Sequence, residues 1–425
     1  MPSMRKQATL LTLANGATRA VGFVMHLLLA RLMGAEALGM MEMAHSVEML
    51  ALTPVTAGLP SAMSRIVARP ETDRRHVLHA GVRLVSRMAW RIMPALALSA
   101  PLIAWLMGDL RTLPAILVSV PDVLLLGLCA VYSGYCYGVG NARLPAFSEF
   151  GEQGIRFVLS LTLLITFRRV HVQYLAALPG LAETVAAFAM MFVVRRRLPL
   201  RTPVPPAPAM ERELTRLSSP MIASRLCATG VRAFSAVLLP VCLRRSGLSA
   251  AAATAQYGLL TGMAMPLMML PGMVTGAVAM VATPTVAAME QDAQGLRRLS
   301  RQLLLTGLGL GAASCGVIWL TADFVANTLY RTPALSPLVK LMSPLTVMLA
   351  VHQVQFGLIA GLGLQRKALT GTLLSAIVQL AITALLAPVP RLRLFGAVIA
   401  LTCSEAVALT WSLCLVRRHR DGRSA

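Results

Sequence analysis

Charge is scarce in this chain, and negative charge most of all. Only 13% of the 425 residues are charged, and seventeen carboxylates stand against thirty-nine Lys and Arg. Soluble domains carry roughly a quarter charged residues, so this chain lacks the polar surface needed to cover itself in water. Aromatic residues reach only 5%. A net charge of +22 without interleaved aromatics argues against a nucleic-acid-binding face. The seven cysteines include no C-x-x-C pair and lie in apolar segments, so neither a disulfide frame nor a metal site is expected. Long polar loops and paired-Asp motifs are absent as well, which argues against a membrane-bound glycosyltransferase or polymerase. The first apolar run, 10–30, is too long for a signal-peptide core and has no convincing cleavage site.

Hydrophobic residues, by contrast, make up 56% of the chain, and the mean hydropathy is +0.70. A bilayer-spanning helix needs about 20 mostly apolar residues, and such stretches run almost end to end. The expected spans are 8–30, 40–64, 89–107, 113–140, 145–167, 173–194, 218–243, 255–288, 302–328, 336–363, 368–388 and 394–416. Pro266, Pro271 and Pro284 predict a kinked or tilted helix in the long 255–288 segment, because proline removes a backbone donor and clashes with the preceding turn. With both termini cytoplasmic, roughly 25 basic residues fall inside and about 10 outside, the bias that the positive-inside rule requires. The basic clusters Arg195–Arg197, Arg297–Arg301 and Arg417–Arg420 are then cytoplasmic. The expected location is the plasma membrane, with the chain crossing it many times.

The only proline-rich stretch, PLRTPVPPAP at 199–208, follows the sixth span. It divides the chain into an N-terminal six-helix bundle over 1–197, a cytoplasmic linker over 198–216, and a C-terminal six-helix bundle over 217–425. Arg19, Arg31 and Gly34 align at one constant offset with Arg232, Arg244 and Gly247. Six spans per half bring both halves into the membrane from the same face. The expected fold is therefore all-α and integral to the membrane, with about twelve transmembrane helices in two bundles and a pseudo-two-fold axis along the membrane normal.

Several segments resemble a known family in order along the chain. ARLMGAEALGMMEM (30–43) with GLPSAMSRIVA (58–68) is similar to the first two spans of the stage V sporulation protein B-like oligosaccharide flippases. LPAFSEFGEQGIRF (144–157) resembles their fifth span through Pro145, Glu152, Gln153 and Arg156. YGLLTGMAMPLMMLP (257–271) with TPTVAA (283–288) resembles their eighth, and GLGLQRKALTG (361–371) their tenth-to-eleventh hairpin. The resemblance implies a MATE/MurJ-like fold of the multidrug/oligosaccharidyl-lipid/polysaccharide superfamily. It implies a lipid-linked oligosaccharide flippase of cell envelope or spore cortex synthesis, with a polyprenyl-diphosphate sugar as substrate. Two departures stand out. Many relatives have fourteen spans, and in MurJ-like members the last pair helps to hold the lipid tail. Of the MurJ-like cavity arginines only Arg19 falls on a matching position, and Met25 stands where a second first-span arginine is expected.

A charge at the bilayer centre costs roughly 2.5–3.5 kcal/mol on insertion scales, so each intramembrane charge calls for a role. In the first span Asn15, Arg19, Gly22 and His26 form one polar stripe, and Arg225, Thr229 and Arg232 do the same in the seventh. Guanidinium groups bind diphosphate bidentately and cannot be deprotonated. Arg19, Arg232, Arg225, His26 and Asn15 are accordingly the candidate diphosphate-binding residues, against the plainer reading that they pair or snorkel. Glu152 and Arg156 are spaced for an i, i+4 ion pair, with Glu149 on the same face near the cytoplasmic end. Glu48, among Glu42 and His45 in the second span, either accepts a coupling proton or pairs with Arg19. Glu183 and Glu405 carry no distinguishing context. No cofactor is expected, and the coupling cation, H+ or Na+, stays open. The alternatives to a flippase are a MATE-like efflux antiporter for small organic cations and a non-transporting scaffold for envelope-synthesis proteins.

Overall fold

The computed structural model describes the backbone of residues 4–200, 205, 207–289 and 292–421, and the side chains of these except 4–20, 293, 420 and 421. Among the described residues all regular structure is helical. The chain divides into two compact units, Met1–Val237 and Leu238–Ala425.

The first unit contains α1 (Met4–Thr56), α2 (Leu59–Val67), α3 (Arg74–Leu106), α4 (Leu113–Val118), α5 (Asp122–Val139), α6 (Arg143–Thr166), α7 (Val172–Arg196) and α8 (Pro208–Arg245) as far as Val237. α1 is broken at Gly34, whose φ of 74° and ψ of 173° lie in a region that side chains exclude. The break joins the first two expected spans. Met25, Leu29, Met33 and Met40 of α1 then pack with Leu164 of α6 and Leu175 of α7. Gly58, also at positive φ, starts α2 where a methyl group would meet Met221 of α8 at 2.8 Å. The start of α8 is tied down by ion pairs: Glu211 to Arg83 at 3.2 Å and Arg87 at 3.0 Å, and Glu213 to Arg69 at 2.7 Å.

The second unit continues through α9 (Ala250–Tyr257), a wide π-type turn, α10 (Met265–Met269), α11 (Gly272–Ala288), α12 (Ala293–Phe324), a second π-type turn, α13 (Leu335–Met342), α14 (Leu345–Gly361), α15 (Gln365–Leu386) and α16 (Leu394–Asp421). The expected kink falls at Pro271, where the axis bends by 49° between Met269 and Gly272. A second 49° bend separates α13 from α14. It sits at Pro344, whose ring cannot continue α13, in a stretch expected to be one span. α14 is held between two helices by glycine. A methyl at Gly357 would lie 2.7 Å from the Ala279 carbonyl oxygen of α11, and one at Gly311 of α12 would lie 2.8 Å from Val347 Cα. Small residues thus let backbones approach where hydrocarbon offers no hydrophobic drive for association.

Among the described residues eight helices are long and apolar enough to cross a membrane, or ten when each bent pair counts as one span. The difference from about twelve has two sources. Val21–Val67 runs across Gly34 and holds parts of two expected spans. α6 covers the expected 145–167 span but carries Glu149, Glu152 and Arg156, which make it too polar to count.

Glycine contacts separate two substitutions on physical grounds. Gly357→Ala should lower unfolding free energy by about 1–3 kcal/mol through overpacking. Gly309→Ala, whose methyl would meet nothing within 4 Å, should be neutral or stabilising by up to about 1 kcal/mol. Equilibrium unfolding in detergent micelles checks the contrast.

Candidate functional site

His26 and Glu42 are sixteen residues apart, which a straight helix would convert into about 24 Å. Because Gly34 turns α1 back, His26 Nε2 lies 3.9 Å from Glu42 Oε1. From Glu42 the next two polar groups follow at three-residue steps, so His45 and Glu48 lie near one another on the helix. The Nδ1 of His45 lies 3.2 Å from Glu48 Oε2. These four side chains line a cavity of about 150 Å³ inside the first unit, together with Arg156 of α6 and Glu183 of α7. Arg156 Nη1 donates to Glu183 Oε1 at 2.9 Å, and its Nη2 donates to Gln153 Oε1 at 2.8 Å.

The cavity holds three carboxylates against one permanent cation, with two histidines beside them. Several buried atoms around it have no hydrogen-bond partner among the described residues: Glu48 Oε1, Arg156 Nε and Ser160 Oγ. Orphaned polar atoms in a low-dielectric interior are costly, and they concentrate where function needs them. Among the described residues no group of three or more His, Cys, Asp or Glu is placed to hold a metal ion.

The expected Glu152–Arg156 pair is not the one the fold makes. Arg156 reaches across to α7 and takes Glu183, with Gln153 filling its second nitrogen. An interhelical carboxylate serves a buried guanidinium better than one a turn away on the same helix, because it also joins α6 to α7. Glu152 is half-buried, Glu149 is exposed, and neither lines the cavity. Glu48 meets His45. The side chains of Asn15 and Arg19 lie outside the described residues, so the expected Arg19 stripe is represented here by His26, which belongs to the acidic cavity. Arg225 and Arg232 are not part of that cavity. Both are exposed on α8 and have no ion-pair partner among the described residues. Thr229 lies between them on the same face, with its Oγ1 3.1 Å from Thr53 Oγ1 of α1.

Two groups escaped the sequence reading. Asp122, in the first turn of α5, is fully buried. Its Oδ2 accepts from Thr184 Oγ1 of α7 at 3.0 Å, while Oδ1 has no partner among the described residues. A lone carboxylate in the apolar run VSVPDVLLLG was the available signal. In the second unit His352 Nδ1 lies 2.6 Å from Glu405 Oε1, giving Glu405 the context it lacked.

A family model described as polysaccharide biosynthesis protein matches residues 4–290. The chain belongs to this family. It is 27% identical over 414 residues to stage V sporulation protein B of Bacillus subtilis (strain 168), covering 93% of this chain and 80% of that one. Among solved structures it is similar to a multidrug resistance MATE family transporter of the MOP superfamily in its inward-facing conformation, with a TM-score of 0.78 and 15% identity over 96% of this chain and 95% of the other. It is also similar to the lipid II flippase MurJ in an inward closed conformation, with a TM-score of 0.77 and 11% identity over 96% and 87% of the two chains. The chain therefore has the membrane-spanning helical fold of these transporters.

The ion pairs rank by burial. Glu183→Gln leaves Arg156 without its carboxylate in a site where both side chains are under 20% exposed, and should cost about 3 kcal/mol. Glu213→Gln removes the partner of Arg69 in a pair nearly 40% exposed on each side, and should cost under about 1 kcal/mol. Unfolding in micelles at fixed pH measures both.

Proposed function

We propose that this family member flips a polyprenyl-diphosphate-linked sugar, a precursor of cell-envelope or spore-cortex polysaccharide, across the plasma membrane by alternating access. Its termini are cytoplasmic in this reading, and the diphosphate enters from that side while the prenyl tail stays in lipid. The observation that carries the proposal is the pair Arg225 and Arg232, exposed in a 38-residue helix that contains a membrane-spanning stretch, with no carboxylate to neutralise them among the described residues. Unpaired guanidinium in such a helix is expensive to keep, and a diphosphate is the ligand that its fork geometry matches. Membership of the polysaccharide biosynthesis family supports the same substrate class. Arg19 and Asn15 remain candidate partners in this binding.

The acid-rich cavity of the first unit favours a second element, proton coupling. Glu48 and His45 are the groups we assign to it, because both exchange protons and one oxygen of Glu48 lacks a partner. The same surplus of carboxylates is what a cation exporter would need. Size favours the proton. Small-molecule pockets run about 300–1,000 Å³, and a cavity of about 150 Å³ fits a proton or a small cation rather than an organic drug. An inside-negative potential adds about 2.3 kcal/mol per 100 mV for each negative charge moved outward.

Reconstituted vesicles containing a fluorescent polyprenyl-diphosphate sugar test the assignment. Arg225→Ala with Arg232→Ala should lower the flipping rate at least tenfold with the fold intact by circular dichroism. Glu48→Gln should leave substrate binding in place and remove the dependence of rate on a pH gradient. Full-rate flipping by the double arginine variant would remove the basis of the proposal.

A further inference from the structure

The second unit carries a groove that the transport reading does not use. α15 and α16 run antiparallel, so the first turn of α15 and the last turns of α16 meet at one end. Along their outer seam lies an apolar depression of about 430 Å³, walled by Leu374, Val407, Trp411 and Leu415. At its end it opens into a second depression of about 540 Å³ that shares Trp411, Leu415 and Arg418 and adds Lys367. The two form one amphipathic trough, apolar along the helices and basic at the mouth.

Its central wall is fixed rather than incidental. The Trp411 indole N–H donates to the Lys367 carbonyl at 3.1 Å. Gly371 gives the ring its place, since a methyl there would collide with Trp411 Cδ1. The indole is therefore held with its Nε1–Cδ1 edge against α15, with Lys367 beside it. Arg418 and Lys367 are exposed, and neither has an ion-pair partner or a carboxylate in the trough lining among the described residues. Arg366 and Arg417 adjoin them in sequence, so this end of the helix pair carries concentrated positive charge.

We infer that this trough binds an anionic membrane phospholipid, with one acyl chain along Leu374, Val407 and Leu415 and the phosphate between Lys367 and Arg418. The apolar length calls for a hydrocarbon chain, and the unneutralised basic mouth calls for a phosphate. Basic pockets between transmembrane helices select anionic head groups for this reason, while the amphipathic Trp411 ring suits the level where chain meets head group. A phospholipid of the surrounding bilayer supplies both parts at once.

Native mass spectrometry of the full-length protein, titrated with phosphatidylglycerol or with phosphatidylcholine of identical chains, tests the site. Wild type should bind phosphatidylglycerol at least tenfold more tightly. Lys367→Gln with Arg418→Gln should abolish that preference and leave phosphatidylcholine binding unchanged. Lys367→Arg with Arg418→Lys, which keeps the charge, should retain it, and Val407→Trp, which fills the trough, should weaken both lipids. Preference that persists in the double Gln variant overturns the inference. So does displacement of phosphatidylglycerol by an equimolar polyprenyl phosphate, which would give the trough to the transported lipid. Neither result bears on Arg225 and Arg232, so this site and the flippase assignment stand or fall separately.

Discussion

Hydrocarbon solvates neither backbone dipoles nor charges, and every other feature of this molecule answers to that fact. Helices are the form in which a segment satisfies its own backbone, hence the continuous helical structure of the described residues. Side-chain charges are not satisfied so cheaply. Most of the few carboxylates that the chain keeps in its apolar segments are consequently found in company: Glu42 with His26, Glu48 with His45, Glu183 with Arg156, Glu405 with His352, Asp122 with Thr184. Each pairing joins two helices or two arms of one helix, apart from His45–Glu48, which lies within α1. The polar groups that remain unpaired stand out against this background, and they are where the functional argument begins.

Gly34 converts sequence into site. A single residue that tolerates positive φ lets α1 turn on itself, so that residues sixteen positions apart share a cavity. Proline does comparable work in the second unit, where Pro271 and Pro344 break helices that glycine then clamps side by side. The architecture is thus a set of bent helices with close backbone contacts, consistent with a transporter fold rather than a rigid bundle of straight rods.

The helical, membrane-embedded nature of the chain was legible from composition and apolar run length, because those follow from the solvent alone. The kink at Pro271 was legible too, since it depends on a local steric rule. Partner choice was not. The i, i+4 spacing of Glu152 and Arg156 suggested a bond within α6, but the guanidinium is long enough to reach α7, and nothing in the linear spacing says which way it turns. Glu183 and His352 acquire meaning only once their helices are packed. Asp122 was visible as an isolated carboxylate, yet its fit to Thr184 depends on the approach of α7 to α5. His26 was grouped by periodicity with a polar stripe around Arg19, and the Gly34 turn places it among acids instead.

The central claim is that the moving group is anionic and is received by arginine. The most direct measurement is the rate at which a labelled polyprenyl-diphosphate sugar reaches the far leaflet in proteoliposomes of equal pH on both sides, as a function of imposed potential. A negative potential on the side of departure should speed the movement in proportion to the net charge carried, and a positive one should slow it. A rate that rises with the opposite polarity, or transport confined to an organic cation in the same vesicles, would contradict the account.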